Sequence, residues 1–213
     1  MAKEQRAGQM KKRKLGIRTP DLGYYLIVTD GEKTEKHYFD GLRNSIPGHL
    51  KDRLVVKVDT EGTYDMIEKV SNLAAKDAQY RERWIVLDRD QVKGFDEFVA
   101  RAGRDGIQVG WSNPCIEIWF HTYFGKMPTY PDSTTCCSGF SDLFKKKTGK
   151  VYRKNDMDIY KTLCQYGDEK TAIRAAKHRH RVHLENGADK PSKMCPDTTV
   201  YRLIEEIRGK IEQ

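Results

Sequence analysis

Several acidic residues of this 213-residue chain stand directly after hydrophobic, strand-like segments or one helical turn beyond them. Clustered carboxylates repel one another, so a group of them in one crevice requires a cation. Mg²⁺ or Mn²⁺ fits best, because both prefer oxygen ligands. Against a nucleic-acid backbone, such ions activate water and stabilise the leaving oxygen of phosphodiester hydrolysis. The candidate carboxylates are Asp30, Glu32, Glu35, Asp88, Asp90 and Glu117.

The spacing of Asp88 and Asp90 allows both carboxylates to leave a strand end toward the same side. An Asp-x-Asp after a strand is also typical of a turn whose carboxylates cap a helix, and Asp30-Gly31 is a common turn dipeptide. Both motifs occur here, at the ends of the first and third predicted strands. That coincidence favours the metal site over two unrelated turns.

The first 111 residues alternate between β-favouring runs and amphipathic segments. The predicted strands are 24–29, 54–58, 83–87 and 106–111, and the predicted helices are 32–42, a segment capped by Thr63 or Asp65 and running to Ala78, and 95–102. This alternation predicts an α/β fold with a parallel sheet flanked by helices. Because sites form at the carboxyl ends of parallel strands, we expect the acidic residues to meet there.

The remainder of the chain is predicted to be helical, with Pro114 in the first turn of the next helix. Loops are predicted over 126–139 and 186–197, and helices near 141–148, 156–166, 168–184 and 198–211. The predicted organisation is a flexible basic tail (1–20), an α/β core (21–125) and a helical C-terminal extension (126–213) packed on the core as one domain.

Positive charge predominates: 39 Lys and Arg against 31 Asp and Glu give a net charge of +8. An anionic partner, nucleic acid first, is therefore plausible. Two basic clusters, 145–154 and 177–183 (the latter together with Lys170 and Arg174), are candidate backbone-binding surfaces or simply solvated helix faces. The candidate nucleic-acid-binding residues are Lys33, Arg89, Lys145, Lys146, Arg174, Lys177, Arg179 and Arg181. His178 and His180 are two apart and point to different helix faces, which argues against a zinc pair.

Other classes of protein fit less well. No run of 18 apolar residues is present, so we expect no membrane span and a cytoplasmic location. The five cysteines are expected to be reduced, and the absence of a C-x-x-C pair argues against a structural zinc site. Cys115 is interpreted as a small buried residue. Phosphoryl transfer on a nucleotide would need a Gly-rich phosphate loop, which the sequence lacks.

A strand ending in an acidic residue plus Gly, followed by a later strand ending in Asp-x-Asp, resembles the Toprim arrangement. More narrowly, the chain resembles the RloB (AbiLii-like) family. The matching segments, in order, are YLIVTDGEKTEKHYF (25–39), IVLDRD (85–90), SNPCIEIWF (112–120) and PDTTVYRLI (196–204). The Asn-Pro-x-x-Glu-x-Trp and Gly-Glu-Lys-Thr-Glu runs are the specific ones.

The resemblance implies a Toprim-like, Mg²⁺- or Mn²⁺-dependent endonuclease of a bacterial or phage-linked defence locus. It also implies an AAA-type ATPase, encoded nearby, that controls the nuclease. The implied metal residues are Asp30, Glu35, Asp88 and Asp90, with Glu117 as a further catalytic candidate. The family pattern has Glu where this chain has Asp30, whose side chain is one methylene shorter, so a metal there would shift or gain a bridging water.

The sequence thus predicts a nuclease that hydrolyses nucleic-acid phosphodiesters in anti-phage defence, under control of a partner ATPase. DNA and RNA, including tRNA, both remain candidate substrates. The alternative is a non-catalytic module that binds nucleic acid or an ATPase, with acids that hold a structural cation or none.

Overall fold

The computed structural model describes residues 23–59, 65–77 and 79–211. The predicted basic tail of residues 1–20 lies outside the described residues, as do Thr63 and Ala78 at the two ends of the second predicted helix.

Five strands form one sheet in the order β2-β1-β3-β4-β5. They are β1 (Tyr24–Thr29), β2 (Leu54–Val58), β3 (Tyr80–Asp88), β4 (Gln108–Asn113) and β5 (Asp197–Thr198). The first four are mutually parallel, and β5 pairs antiparallel with β4. β1 and the second half of β3 (84–87) are continuous or almost continuous runs of apolar residues, as expected where helices cover both faces of a parallel sheet.

Eight α-helices accompany the sheet in the described part of the chain. They are α1 (Thr34–Ser45), α2 (Met66–Lys76), α3 (Phe95–Arg104), α4 (Glu117–Thr122), α5 (Ser133–Thr148), α6 (Ile159–Tyr166), α7 (Glu169–Glu185) and α8 (Val200–Ile211). Short 3₁₀ helices cover Gly48–Arg53, Arg89–Gln91 and Pro191–Lys193.

Two hydrophobic clusters cover the two faces of the sheet. Tyr25 and Ile27 of β1 face a large cluster built with α1 and α4–α8, whereas Leu26 and Val28 face a smaller one built with α2 and α3. This alternation is the two-residue period of a strand. The helices of the C-terminal half complete the larger cluster: α4, α7 and α8 contact β4 or β5, and α5 and α6 pack against other helices.

The connections place the site. In the sheet, β2 lies on one side of β1 and β3 lies on the other. The chain therefore moves in one direction from β1 to β2 and in the opposite direction from β2 to β3. The carboxyl ends of β1 and β3 therefore lie at a topological switch point, the position where open α/β sheets bind their ligands.

The α/β class and the C-terminal helices are confirmed, and three predicted details are wrong. The helix after β4 begins at Glu117 and not at Pro114. The predicted loop 126–139 contains the first turns of α5, which Asp132 caps by accepting a hydrogen bond from the Thr135 backbone N–H at 2.7 Å. The predicted loop 186–197 ends in β5, and α8 begins at Val200.

Within the described residues, no helix is both long enough and apolar enough to cross a membrane.

Candidate metal centre

Neighbouring strands bring the first acidic residues together. Thr29 at the end of β1 pairs with Val86 of β3, and the Asp30 backbone N–H donates to the Val86 carbonyl at 3.2 Å. Asp88 is the last residue of β3, two positions beyond Val86. The sheet register therefore places Asp30 beside Asp88 at the carboxyl edge.

These residues line an open cleft of about 340 Å³. Its walls come from the turn after β1, the start of α1, the end of β3, and two segments from later in the chain. The lining residues are Asp30, Gly31, Glu32, Lys33, Thr34, Glu35, Asp88, Ile116 and Lys154. Four of these nine carry carboxylates, and two carry amines.

Glu35 enters the cleft from the first turn of α1 and is only 6% exposed. Its carboxylate lies against Gly31 so closely that a Cβ at that position would overlap it. Any side chain at position 31 would therefore displace the Glu35 carboxylate, and this contact explains the Asp-Gly pair better than a generic turn does.

Burial and mutual repulsion make these carboxylates hard to ionise in the absence of a cation. Burial first, then the charge of Glu35, raises the pKa of Asp30 to about 8, although backbone N–H groups partly oppose the rise. Burial first, then the charge of Glu117, raises the pKa of Glu35 to about 7. The pKa of Asp88 is raised well above its ordinary value by burial, then by Glu35 and Asp30.

Glu117 begins α4, is fully buried, and stands behind the cleft. Its Oε1 accepts a hydrogen bond from the Tyr152 hydroxyl at 2.8 Å and lies 3.9 Å from Lys154 Nζ. The charge of Glu117 raises the pKa of both Glu35 and Asp88. It therefore belongs to the same electrostatic cluster, although it does not line the cleft.

Lys154 is the positively charged side chain that contacts Glu117. Partial burial lowers its pKa, but the surrounding negative charges, Glu117 first, outweigh this effect and leave the pKa raised. The Thr34 hydroxyl donates to the Lys154 backbone carbonyl at 3.1 Å and so ties this segment to α1. Lys154 thus remains charged at the mouth of an acidic cleft.

Asp90 lies apart from the other acids. It is exposed, on the 3₁₀ helix Arg89–Gln91, and lines an adjoining cavity together with Arg89. Its charge still contributes to the raised pKa of Asp30, Glu35 and Asp88. The turn after β3 thus directs Asp88 inward and Asp90 to the rim.

The predicted nucleic-acid-binding residues occupy several surfaces. Lys33 lines the cleft itself, whereas Lys145 and Lys146 are exposed in the last turn of α5. Arg174, Lys177 and Arg181 of α7 line a separate groove, which they share with His178, His180, Leu184, Tyr201 and Arg202.

Several cations on α7 either form ion pairs with nearby carboxylates or point away from this groove. Lys177 forms an ion pair with Glu205 at 2.9 Å, and Arg181 lies 3.6 Å from Glu185. Arg179 points out of the groove and donates to the Met127 carbonyl at 3.4 Å.

The two histidines diverge as the helical spacing predicts. His178 is exposed, whereas His180 is buried and bonded to Asp197 at 2.6 Å. Their separation agrees with the sequence argument against a zinc pair.

Sequence reasoning gave no individual role to Tyr152 or Lys154. Both lie in the basic cluster 145–154, but their contact with Glu117 spans more than 30 residues. Only the juxtaposition of an aromatic hydroxyl with lysines in 150–154 marked this segment as unusual.

The donor set fits a hard divalent cation. At this cluster, three buried carboxylate oxygens have no hydrogen-bond partner among the described residues: Asp30 Oδ2, Asp88 Oδ1 and Glu117 Oε2. An unsatisfied buried carboxylate oxygen is costly, and a cation bound by oxygen ligands would remove that cost. Asp30, Glu35 and Asp88 are the candidates to hold such an ion because they line the same cleft, but their carboxylate oxygens do not all lie within 4.8 Å of one another, so a bound ion would draw them closer together.

Comparison with known proteins gives one match. The model of the RloB-like protein family matches residues 25–207, which includes all five strands except Tyr24 and most of α8. No curated protein and no solved structure matches the chain. Since the family match covers most of its length, the chain belongs to the RloB-like protein family.

Proposed function

We propose that this protein is a metal-dependent nuclease that hydrolyses nucleic-acid phosphodiesters in bacterial anti-phage defence. Membership of the RloB-like family suggests the defence association. One observation carries the chemical part of the proposal: Asp30 and Asp88 from adjacent strand ends share a cleft with Glu35 of α1, and one buried oxygen of each aspartate has no hydrogen-bond partner within the described residues.

Asp30, Glu35 and Asp88 would hold Mg²⁺ or Mn²⁺. When bound, the ion would supply Lewis-acid activation of a water molecule and stabilisation of the leaving oxygen. Glu35 is held in place by Gly31 and by the first turn of α1. Asp30 and Asp88 are held by the register of β1 and β3. The backbone at Glu35 and Asp88 is therefore fixed by secondary structure, and the backbone at Asp30 is fixed by its hydrogen bond to the Val86 carbonyl.

The two lysines of the cleft provide contacts for phosphate. Lys33 is exposed at the cleft wall, and Lys154 stands at its mouth beside Glu117. Contacts with these amines would offset the repulsion between the carboxylates and an entering phosphodiester. The groove on α7 offers further cations that bind a backbone without reading its sequence.

The test is a cleavage assay with supercoiled plasmid DNA and bulk tRNA, in Mg²⁺, in Mn²⁺ and in EDTA. We expect cleavage of one of these substrates only with metal. Asp88→Asn should reduce it at least about 100-fold, since even changes outside the ligand set of a metal weaken binding 10–100-fold. The matched control is Asp142→Asn, an exposed carboxylate of α5. Cleavage in EDTA, or full activity of Asp88→Asn, would contradict the proposal.

A second candidate function is nucleic-acid or ATPase binding without cleavage. Two points favour it: the resemblance implies a Glu where this chain has the shorter Asp30, and Asp90 is exposed. Metal-independent binding of plasmid or tRNA in a gel-shift assay, with no cleavage in either metal, would support this alternative. Control by an AAA-type ATPase is part of the main proposal, and co-purification of the two proteins tests it.

A further inference from the structure

A second group of potential metal ligands consists of two cysteine sulfurs and the carboxylate of Glu117. Cys115 precedes α4, and Cys137 lies in α5. Their Sγ atoms are 4.0 Å apart. One carboxylate oxygen of Glu117 completes a set in which all three ligand atoms lie within 4.8 Å of one another.

The sulfur separation suits a bridging metal ion. Two sulfurs bound tetrahedrally to zinc at about 2.3 Å are about 3.8 Å apart, close to the observed distance. A disulfide instead requires the same atoms to approach to about 2.05 Å. The chain therefore needs little adjustment to bind a metal here, and considerably more to form the covalent bond.

The carboxylate supplies an independent indication of a ligand. Glu117 is fully buried, and its Oε2 has no hydrogen-bond partner among the described residues. Its other oxygen is already occupied by the Tyr152 hydroxyl. A buried, unsatisfied oxygen on the carboxylate that also approaches two sulfurs is the arrangement that a cation would complete.

We propose that Cys115, Cys137 and Glu117 form a binding site for a thiophilic divalent cation of the zinc class. Two thiols lose their protons to solvent when the ion binds, and water fills the fourth tetrahedral position. Two thiolates, one carboxylate and the divalent ion leave a net charge of −1, which Lys154 at 3.9 Å from Glu117 offsets.

This site differs in chemistry from the acidic cleft. Thiolates select zinc-class ions, whereas carboxylates alone suit Mg²⁺ and Mn²⁺. Glu117 lies between the two groups, and Asp88 belongs only to the acidic one. The sulfur site does not depend on the proposed nuclease activity and is testable without any nucleic acid.

The experiment titrates reduced full-length protein with Co²⁺ and Cd²⁺ in excess Mg²⁺ and follows the sulfur-to-metal charge-transfer absorption. We expect one equivalent to bind, with the visible Co²⁺ spectrum of a tetrahedral site. Cys137→Ser and Cys137→Ala should each lose this absorption and bind at least about 100-fold more weakly, since loss of a ligand exceeds the effect of an outer-shell change. Far-ultraviolet circular dichroism verifies that both variants fold.

Two further variants define the site. Cys164→Ser, which removes an exposed thiol of α6, should retain the full absorption. Asp88→Asn should retain it too, even where nuclease activity is lost, so failure of one proposal is distinguishable from failure of the other. Absence of the band from the wild type, its persistence in folded Cys137 variants, or its loss in Cys164→Ser or Asp88→Asn would overturn the assignment.

Discussion

The raised pKa of Glu35 predicts that removing its charge stabilises the metal-free protein at alkaline pH. Its pKa rises from 4.5 to about 7 on folding, mainly because the side chain is buried. Between these values the folded protein retains a proton that the unfolded chain has lost. The free energy of unfolding therefore falls as the pH rises through this window. Glu35→Gln keeps the shape of the side chain and removes the ionisation.

The size of the effect follows from the two pKa values. Each unit corresponds to about 1.4 kcal/mol, so the raised pKa of Glu35 costs the folded state about 3 kcal/mol at pH 8 and about 1 kcal/mol at pH 5. The stability gained by Glu35→Gln should therefore be about 2 kcal/mol larger at pH 8 than at pH 5. Relief of the repulsion that Glu35 exerts on Asp30 and Asp88 acts in the same direction.

The assay is urea unfolding in EDTA at pH 5 and pH 8, monitored by circular dichroism. Glu68→Gln, an exposed substitution on α2, is the matched control and should show no pH-dependent gain. If Glu35→Gln destabilised the protein equally at both pH values, the carboxylate would be making favourable contacts, and the reasoning about the cleft would be wrong.

Three further predictions concern the cleft and the α7 groove. Mg²⁺ or Mn²⁺ at 100 times its dissociation constant should stabilise the wild type at pH 8 by about 2.7 kcal/mol, seen as a higher unfolding midpoint, and should stabilise Glu35→Gln much less. Gly31→Ala should abolish cleavage and lower the free energy of unfolding, because the added Cβ overlaps the Glu35 carboxylate. The control Gly103→Ala, which has open space around it in α3, should be neutral or stabilising by up to about 1 kcal/mol in the same urea unfolding experiment. Replacing both Arg174 and Arg181 with Ala should reduce the slope of log affinity against log salt by about 2 in a tRNA-binding titration, and an unchanged slope would exclude that groove as a backbone contact.

Much of the fold could be predicted because the sheet is built from local patterns. Each of the first four strands is a short apolar run bounded by polar residues, and each intervening helix has a clear amphipathic period. The start of α5 was missed because its Ser, Thr and Cys residues have weak helix propensity, although Asp132 supplies the capping signal. β5 was missed because two residues carry no detectable alternation.

The acidic cluster was predictable only in part. Asp30 and Asp88 follow strands that become neighbours, so their proximity follows from the α/β pattern. The outward position of Asp90 depends on the 3₁₀ turn after β3, which its spacing from Asp88 does not reveal. The contact of Tyr152 with Glu117 depends on how the C-terminal half packs, and no local signal specifies it. The catalytic and binding roles of these residues stay predictions.

The strand β5 links completion of the sheet to a late part of the chain. The Thr199 backbone N–H donates to the Trp111 carbonyl at 2.8 Å, and the Thr198 hydroxyl donates to the same oxygen at 3.0 Å. Until this segment has been synthesised, the outer side of β4 is an unpaired edge, the kind of surface on which chains associate with one another. A nascent chain therefore carries a sheet with one open side until Asp197 and Thr198 have been synthesised, and truncation before Asp197 should produce aggregation and not a smaller working protein.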